Sequence, residues 1–184
     1  MCWHAFSVKA FAPISSFVLT FPLRRLILSP QKLADRLHLE EDFRVLEIGS
    51  GAGYFSAEVA RRIPDGRLEL IDVQRGMIEL ARSKIHSDNV GFAVGDAANL
   101  PFVDGVFDVV FLVAVLGEVS NKDGCLTEIH RVLKPSGLLS ITEQPGDPDF
   151  LPMPTVLSLA EEHGFHFAES YGGGKNYTAN FRRI

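Results

Sequence analysis

The 184-residue chain is poor in cysteine, has no basic tract and contains no long uninterrupted apolar run. Its two cysteines, Cys2 and Cys125, lie far apart and neither belongs to a Cys-x-x-Cys pair. That argues against a zinc site or a redox motif. It fits free thiols in a reducing compartment, so a cytoplasmic protein is expected. The histidines (His4, His38, His86, His130, His163 and His166) are scattered. His163 and His166 are close, but Gly164 ends a helix between them, so no metal pair is expected. Basic residues occur only as short pairs, Arg24-Arg25, Arg61-Arg62 and Arg182-Arg183, in a chain of formal net charge -5. A nucleic-acid partner is therefore not expected.

The stretch from Ala10 to Leu28 is apolar-rich, but Pro13 and Pro22 interrupt it and Arg24-Arg25 sits inside it. A membrane-spanning helix needs about 20 apolar residues, and this stretch fails that test. Only Lys9 precedes the apolar part and no small-residue cleavage site follows, which argues against a secretory signal. The expectation is an apolar helical segment over residues 1–29 that packs on the domain. Peripheral membrane contact or a homodimer contact are its other readings.

What is present is an ordinary folded-domain balance, 46% hydrophobic and 22% charged, at a length that suits one domain. From Pro30 onward, helix-like and strand-like stretches alternate. Pro30 to Leu39 reads as a helix, and RVLEI (Arg44 to Ile48) as a short buried strand. Helices follow over Tyr54 to Arg62, Met77 to Lys84, Asp123 to Leu133 and Pro152 to His163. Strands are expected over Arg67 to Asp72, Val90 to Val94, Phe107 to Val113 and Leu138 to Glu143. Lys134-Pro135-Ser136-Gly137 reads as a helix stop. Phe165 to Ser170 and Tyr177 to Arg183 read as two final strands around Gly172-Gly173-Gly174. Short strands alternating with helices imply an α/β fold, a doubly wound parallel sheet covered on both faces.

The sharpest motif is VLEIGSGAGYFS, residues 45–56. A glycine-rich turn between strand and helix lets a ligand approach the backbone closely. The next helix presents free N–H groups, and ligands of open α/β sheets sit beyond the carboxyl ends of the strands. A dinucleotide fingerprint wants G-x-G-x-x-G. Here Tyr54 takes the third glycine position and the spacing is G-x-G-x-G. Glu47 lies inside the strand just before the glycines, where a carboxylate suits a cationic ligand and not a pyrophosphate. Asp72, at the end of the second strand, can accept hydrogen bonds from two ribose hydroxyls. Asp96, in Gly95-Asp96-Ala97, can accept from an exocyclic amine while Ala97 and Met77 pack on a ring.

With these motifs the chain resembles the class I S-adenosylmethionine-dependent methyltransferases. It looks closest to the small-molecule branch that includes the ubiquinone and menaquinone biosynthesis C-methyltransferases. The resemblance runs from about Leu33 to Glu143 and rests on four motifs in order: VLEIGSGAGYFS, LELIDVQRGMIELAR, GDAANLPFVDGVFDVV and EIHRVLKPSGLLSITE. It implies a Rossmann-like, seven-stranded, mostly parallel sheet with an antiparallel last strand over residues 30–184. It also implies S-adenosylmethionine as cofactor and a small, lipophilic methyl acceptor. Glu47, Gly49, Ser50, Gly51, Gly53 and Tyr54 would surround the methionine part. Asp72 and Val73 would hold the ribose, and Met77, Asp96 and Ala97 the adenine. Val113 and the residues to Glu118 would line the transfer site.

Two departures stand out. Members of this branch often carry a histidine after the fourth strand, where this chain has Leu116-Gly117-Glu118. Many also insert a cap after the fifth strand, whereas Gln144 to Met153 leaves little room. A sulfonium methyl is electrophilic by itself, so no compact catalytic constellation is expected. Glu118 is the candidate base or acceptor anchor, and Glu143, at the end of the fifth strand, has the same two readings. Trp3, His4 and Tyr171 are further candidates for the acceptor pocket. A non-catalytic methyltransferase-like binding module and a nicotinamide-dependent oxidoreductase are the competing functions.

Overall fold

A computed structural model describes residues 28–184. The expectations for Trp3, His4, Cys2 and the apolar N-terminal stretch up to residue 27 lie outside the described residues. The elements run α1 (Pro30–Arg36), β1 (Arg44–Ile48), α2 (Ser56–Arg62), β2 (Arg67–Asp72), α3 (Arg75–Lys84) and β3 (Val90–Val94). They continue with β4 (Phe107–Val113), α4 (Lys122–Val132), β5 (Leu133–Glu143), α5 (Met153–Glu162), β6 (Phe165–Gly173) and β7 (Asn176–Arg183). The seven strands form one sheet in the order β3-β2-β1-β4-β5-β7-β6. All neighbours from β3 to β5 are parallel, and β7 runs antiparallel to both β5 and β6.

The order reverses at β1, so the chain winds outward first one way and then the other. That places helices on both faces. Against one face, Leu33 and Leu37 from α1 and its end, Val59 from α2 and Ala81 from α3 pack on Val45, Leu68, Leu70, Val109 and Phe111. Against the other, Leu126 and Ile129 of α4 and Val156 and Ala160 of α5 pack on Leu46, Ile48, Val110, Leu112, Leu139 and Ile141. Successive strand residues point to opposite faces. In a sheet covered on both sides this makes the strands apolar throughout, as in VVFLV of β4. Polar residues in such strands stand out, and here Glu47 and Glu143 are both buried at strand ends.

Ser29 caps α1 by accepting from Lys32 N, with Pro30 in the first turn. The helix then stops at Arg36, earlier than the apolar pattern suggested, because His38 takes a left-handed backbone with φ +48. α4 stops at Val132, just before Lys134-Pro135-Ser136-Gly137 as expected, but that stretch is no loop and lies inside β5. The register to β4 jumps there from Phe107↔Leu133 to Val109↔Leu138. A bulge of this kind takes up a proline, which cannot donate to the ladder. Ser136 turns through φ +62 in the same bulge. Among the described residues no helix is long and apolar enough to cross a membrane.

Candidate cofactor site

The carboxyl ends of β3, β2, β1 and β4 lie side by side, and they carry Asp96, Asp72, Glu47 and Val113 in that order along one rim of the sheet. The loop after β1 holds the rim together. Gly49 N and Ser50 N both donate to Ile71 O, at 2.8 and 3.3 Å, and Gly51 N donates to Asp72 Oδ2 at 2.9 Å. The other Asp72 oxygen accepts from Gln74 N at 2.8 Å. The Asp72 carboxylate is therefore fixed by two backbone amides at the start of the site. An ionised carboxylate has about four acceptor sites, so two remain for a ligand.

The three glycines of the loop all have positive φ: +69 at Gly49, +53 at Gly51 and +76 at Gly53. Their surroundings differ. A Cβ on Gly49 would overlap the Val115 side chain, and one on Gly53 would overlap Ile85. A Cβ on Gly51 would meet nothing within 4 Å. Gly49 thus lets the segment after β4 pack on the loop, and Gly53 lets α3 do so. Gly51 alone leaves open space above the backbone. Ser50 lies between, buried, with an Oγ that has no hydrogen-bond partner among the described residues.

Parity along β1 turns Glu47 to the same face as Val45, toward α2. Glu47 is 3% exposed, and its Oε2 accepts from Ser56 Oγ at 2.5 Å. Among the described residues no lysine, arginine or histidine pairs with it. Burial pushes its pKa up to about 8; the Ser56 hydrogen bond opposes that shift and the charge of Asp72 adds to it. Two buried acids thus converge on the loop, and among the described residues no cation pairs with Glu47.

The outer members of the expected set are more open. Val73 is exposed directly after Asp72, and Met77 is half-buried on α3. Asp96 is exposed; its Oδ1 accepts from Ala98 N at 2.9 Å. Ala97 packs against the core cluster beside α4. Tyr54 is half-buried, edge-on to Phe55 with ring centroids 4.8 Å apart. Val113, half-buried, precedes Ala114, a non-glycine residue at φ +54. Backbone strain of this sort gathers at functional sites. Ala114 N donates to Thr142 O at 2.8 Å, which joins the end of β4 to the end of β5.

Glu118 is exposed on the loop after β4. One oxygen from each of Glu118, Asp147 and Asp149 falls within 4.8 Å of the others. Glu143 is the contrasting acid. It is 0% exposed, and burial raises its pKa to about 7, with Asp147 and Glu118 adding to the shift. Tyr171 lies away from the glycine loop, beneath the Arg36 guanidinium at 5.3 Å and bonded to Glu169. Ser56 and Gln144 were not singled out from sequence. The available signals were a polar residue at the first position of α2 and a Glu-Gln pair at the end of an apolar strand. Two surface depressions, of about 360 and 410 Å³, involve α3–β3 and the end of α2, and hold no residue of the glycine loop.

A methyltransferase domain model matches residues 46–141, more than half of the chain. The chain belongs to the methyltransferase family. It is 33% identical over 135 residues to the ubiquinone/menaquinone biosynthesis C-methyltransferase UbiE of Haemophilus ducreyi, covering 71% of this chain and 51% of that protein. The chain thus spans about half the length of the curated relatives it matches. A SAM dependent methyltransferase from Aquifex aeolicus superposes with a TM-score of 0.85 at 24% identity, covering 95% of this chain and all of the other. The putative methyltransferase bound to the Haloferax volcanii activator Trm112 superposes at 0.80 with 17% identity, covering 92% and 94% of the two chains. These two likenesses confirm the doubly wound, seven-stranded fold.

Two predictions follow from this geometry. Gly49→Ala forces both a left-handed backbone, costing about 1–2 kcal/mol, and a clash with Val115, so it should lower the unfolding midpoint more than Gly51→Ala. Equal midpoints in urea titrations would contradict the assigned packing. Glu47 holds a proton in the folded chain that the unfolded chain releases near 4.5. Stability contributed by that proton is complete below 4.5 and is lost as pH rises to about 8. Glu143 acts in the same direction up to about 7. Glu47→Gln should flatten the fall in stability between pH 7 and 8, and an unchanged slope would refute the buried, protonated state.

Proposed function

We propose that this chain binds S-adenosylmethionine and transfers its methyl group to a small, lipophilic acceptor. The observation that carries the reading is Glu47: a buried acid under an open glycine loop, with no basic partner among the described residues. Burying such a group is costly unless something compensates it. A ligand bearing an ammonium and a sulfonium does so, and a pyrophosphate does the opposite. The orphaned Ser50 Oγ and the free space over Gly51 fit a ligand lying on this loop.

Neighbouring strands are about 4.8 Å apart, so the four strand ends from β3 to β4 span roughly 15 Å. That length accommodates an adenosine extended by an amino-acid tail. Asp96 and Ala97 would hold the adenine, with Met77 against it. Asp72 and Val73 would hold the ribose. Glu47, Gly49, Ser50 and Gly51 would hold the amino-acid end, with Gly53 and Tyr54 closing the loop and Val113 facing the methyl. When bound, the cofactor supplies a methyl group on a sulfonium, which is electrophilic without help from a protein nucleophile. The chain's part is alignment and exclusion of water. Holding two reactants in line can lower a barrier by roughly 7–11 kcal/mol. The UbiE relatives are named for C-methylation in quinone biosynthesis, which supports an acceptor with an apolar body.

Calorimetry with S-adenosylhomocysteine tests the reading. The wild-type chain should bind it, and Asp72→Ala should weaken binding at least tenfold by removing the ribose acceptor. Unchanged affinity in that variant would refute the ribose role. Stabilisation by NAD and none by S-adenosylhomocysteine would replace the whole reading with an oxidoreductase.

A further inference from the structure

Among the described residues seven buried side-chain atoms have no hydrogen-bond partner. Three of them fall on two consecutive residues: Glu143 Oε1 and both polar atoms of the Gln144 amide. With Ser50 Oγ, four of the seven sit at the carboxyl end of the sheet. Buried polar atoms are almost always paired, so a cluster of orphans at one place calls for a partner that is not protein.

The position of this pair is connected to the cofactor loop by contacts already described. Val115 packs over Gly49, Ala114 N bonds Thr142 O, and Thr142 precedes Glu143. Glu143 and Gln144 are 0% and 2% exposed. The loop that follows, residues 145–152, returns to the strand end at Leu151. The tie from that loop to the carboxyl group is Leu151 N to Glu143 Oε2, at 3.4 Å, the long limit for a hydrogen bond. Beside Glu143 stand half-buried Leu151, whose N–H reaches its carboxyl group, and Phe150, edge-on to Tyr177, the β7 partner of Glu143. The rim beyond them carries the carboxylates of Glu118, Asp147 and Asp149. Lys122 Nζ donates to Gly117 O and Val119 O at the start of this region.

We propose that Glu143 and Gln144 dock the polar head of the methyl acceptor, and that this head is non-anionic and offers an O–H or N–H donor. The proposal rests on the methyl-transfer reading above and adds the acceptor's chemistry to it. Glu143 Oε1 accepts from the donor, and the Gln144 amide, able to donate and accept, takes the adjoining group. The apolar residues take the body of the molecule. The acidic rim repels a carboxylate or phosphate. Entry of the acceptor displaces the weak Leu151 contact and lifts the 145–152 loop.

The test uses the full chain saturated with S-adenosylhomocysteine and four probes on one aromatic body, with affinities read by NMR titration. The probes are hydroquinone, benzylamine, 1,4-dimethoxybenzene and benzoate. Hydroquinone or benzylamine should bind at least tenfold more tightly than the capped ether and the anion. The better of the two tells whether the natural donor is a hydroxyl or an ammonium. Glu143→Leu should erase that preference and leave S-adenosylhomocysteine affinity unchanged; Gln144→Leu reads the same contact should the first variant not fold. Equal binding of all four probes, binding of none, or a preference that survives both substitutions would overturn the proposal and show the orphans to be satisfied by enclosed water. Failure of the wild-type chain to bind S-adenosylhomocysteine contradicts the cofactor reading instead, so the two failures are distinct.

Discussion

The hydrogen bond from Gly51 N to Asp72 Oδ2 ties the site together. It spans from the loop after β1 to the end of β2 and sets both the path of the glycine turn and the aim of the Asp72 carboxylate. The turn can follow that path only with left-handed backbone at Gly49, Gly51 and Gly53. Once the loop is held there, Val115 seats on Gly49, the end of β4 is drawn against the loop, and Ala114 is strained into its own left-handed turn. Glu47 is then enclosed below, with the Ser56 hydroxyl as its hydrogen-bond donor. A local backbone constraint thereby sets the electrostatics of the whole rim.

Much of this was legible in the sequence. The boundaries of β1 to β4 follow from short apolar runs bounded by turn residues, because strands buried on both faces have no other composition open to them. The acids Glu47, Asp72 and Asp96 were readable for the complementary reason: each interrupts or ends such a run. Helix starts were read less well. Tyr54 and Phe55 precede α2 and form part of the turn, and α3 begins at Arg75, two residues before its first apolar position. Both helices lack a side-chain cap that would mark the start. Lys134 to Gly137 has the composition of a stop signal, and only the pairing of β5 with β4 shows that a bulge absorbs it.

The candidate site was legible as a set of positions on one rim of the sheet, but not as a division of labour. Three glycines in one motif look equivalent in a sequence, yet two exist for packing and one for open space. The same holds for the acids after β4 and β5. Glu118 and Glu143 both follow apolar runs in the sequence, but Glu118 lies exposed on the loop after β4 while Glu143 is fully buried at the end of β5. Burial of that kind depends on the 145–152 segment folding back over the strand end, a tertiary fact that no local spacing encodes. Glu47 and Glu143 are thus two buried acids on opposite faces of one sheet edge, Glu47 bonded to the Ser56 hydroxyl and Glu143 with one oxygen unpartnered among the described residues.

The central claim is that Glu47 waits protonated for a cationic ligand. The most direct measurement is the number of protons exchanged when S-adenosylmethionine binds at pH 7, from calorimetry in buffers of different ionisation heat. With a pKa near 8 in the empty chain, Glu47 must ionise to meet the cofactor. Release approaching one proton in the wild type, and close to none in Glu47→Gln, is the predicted result. Binding with no proton released by the wild type, or the same release from both proteins, would contradict it.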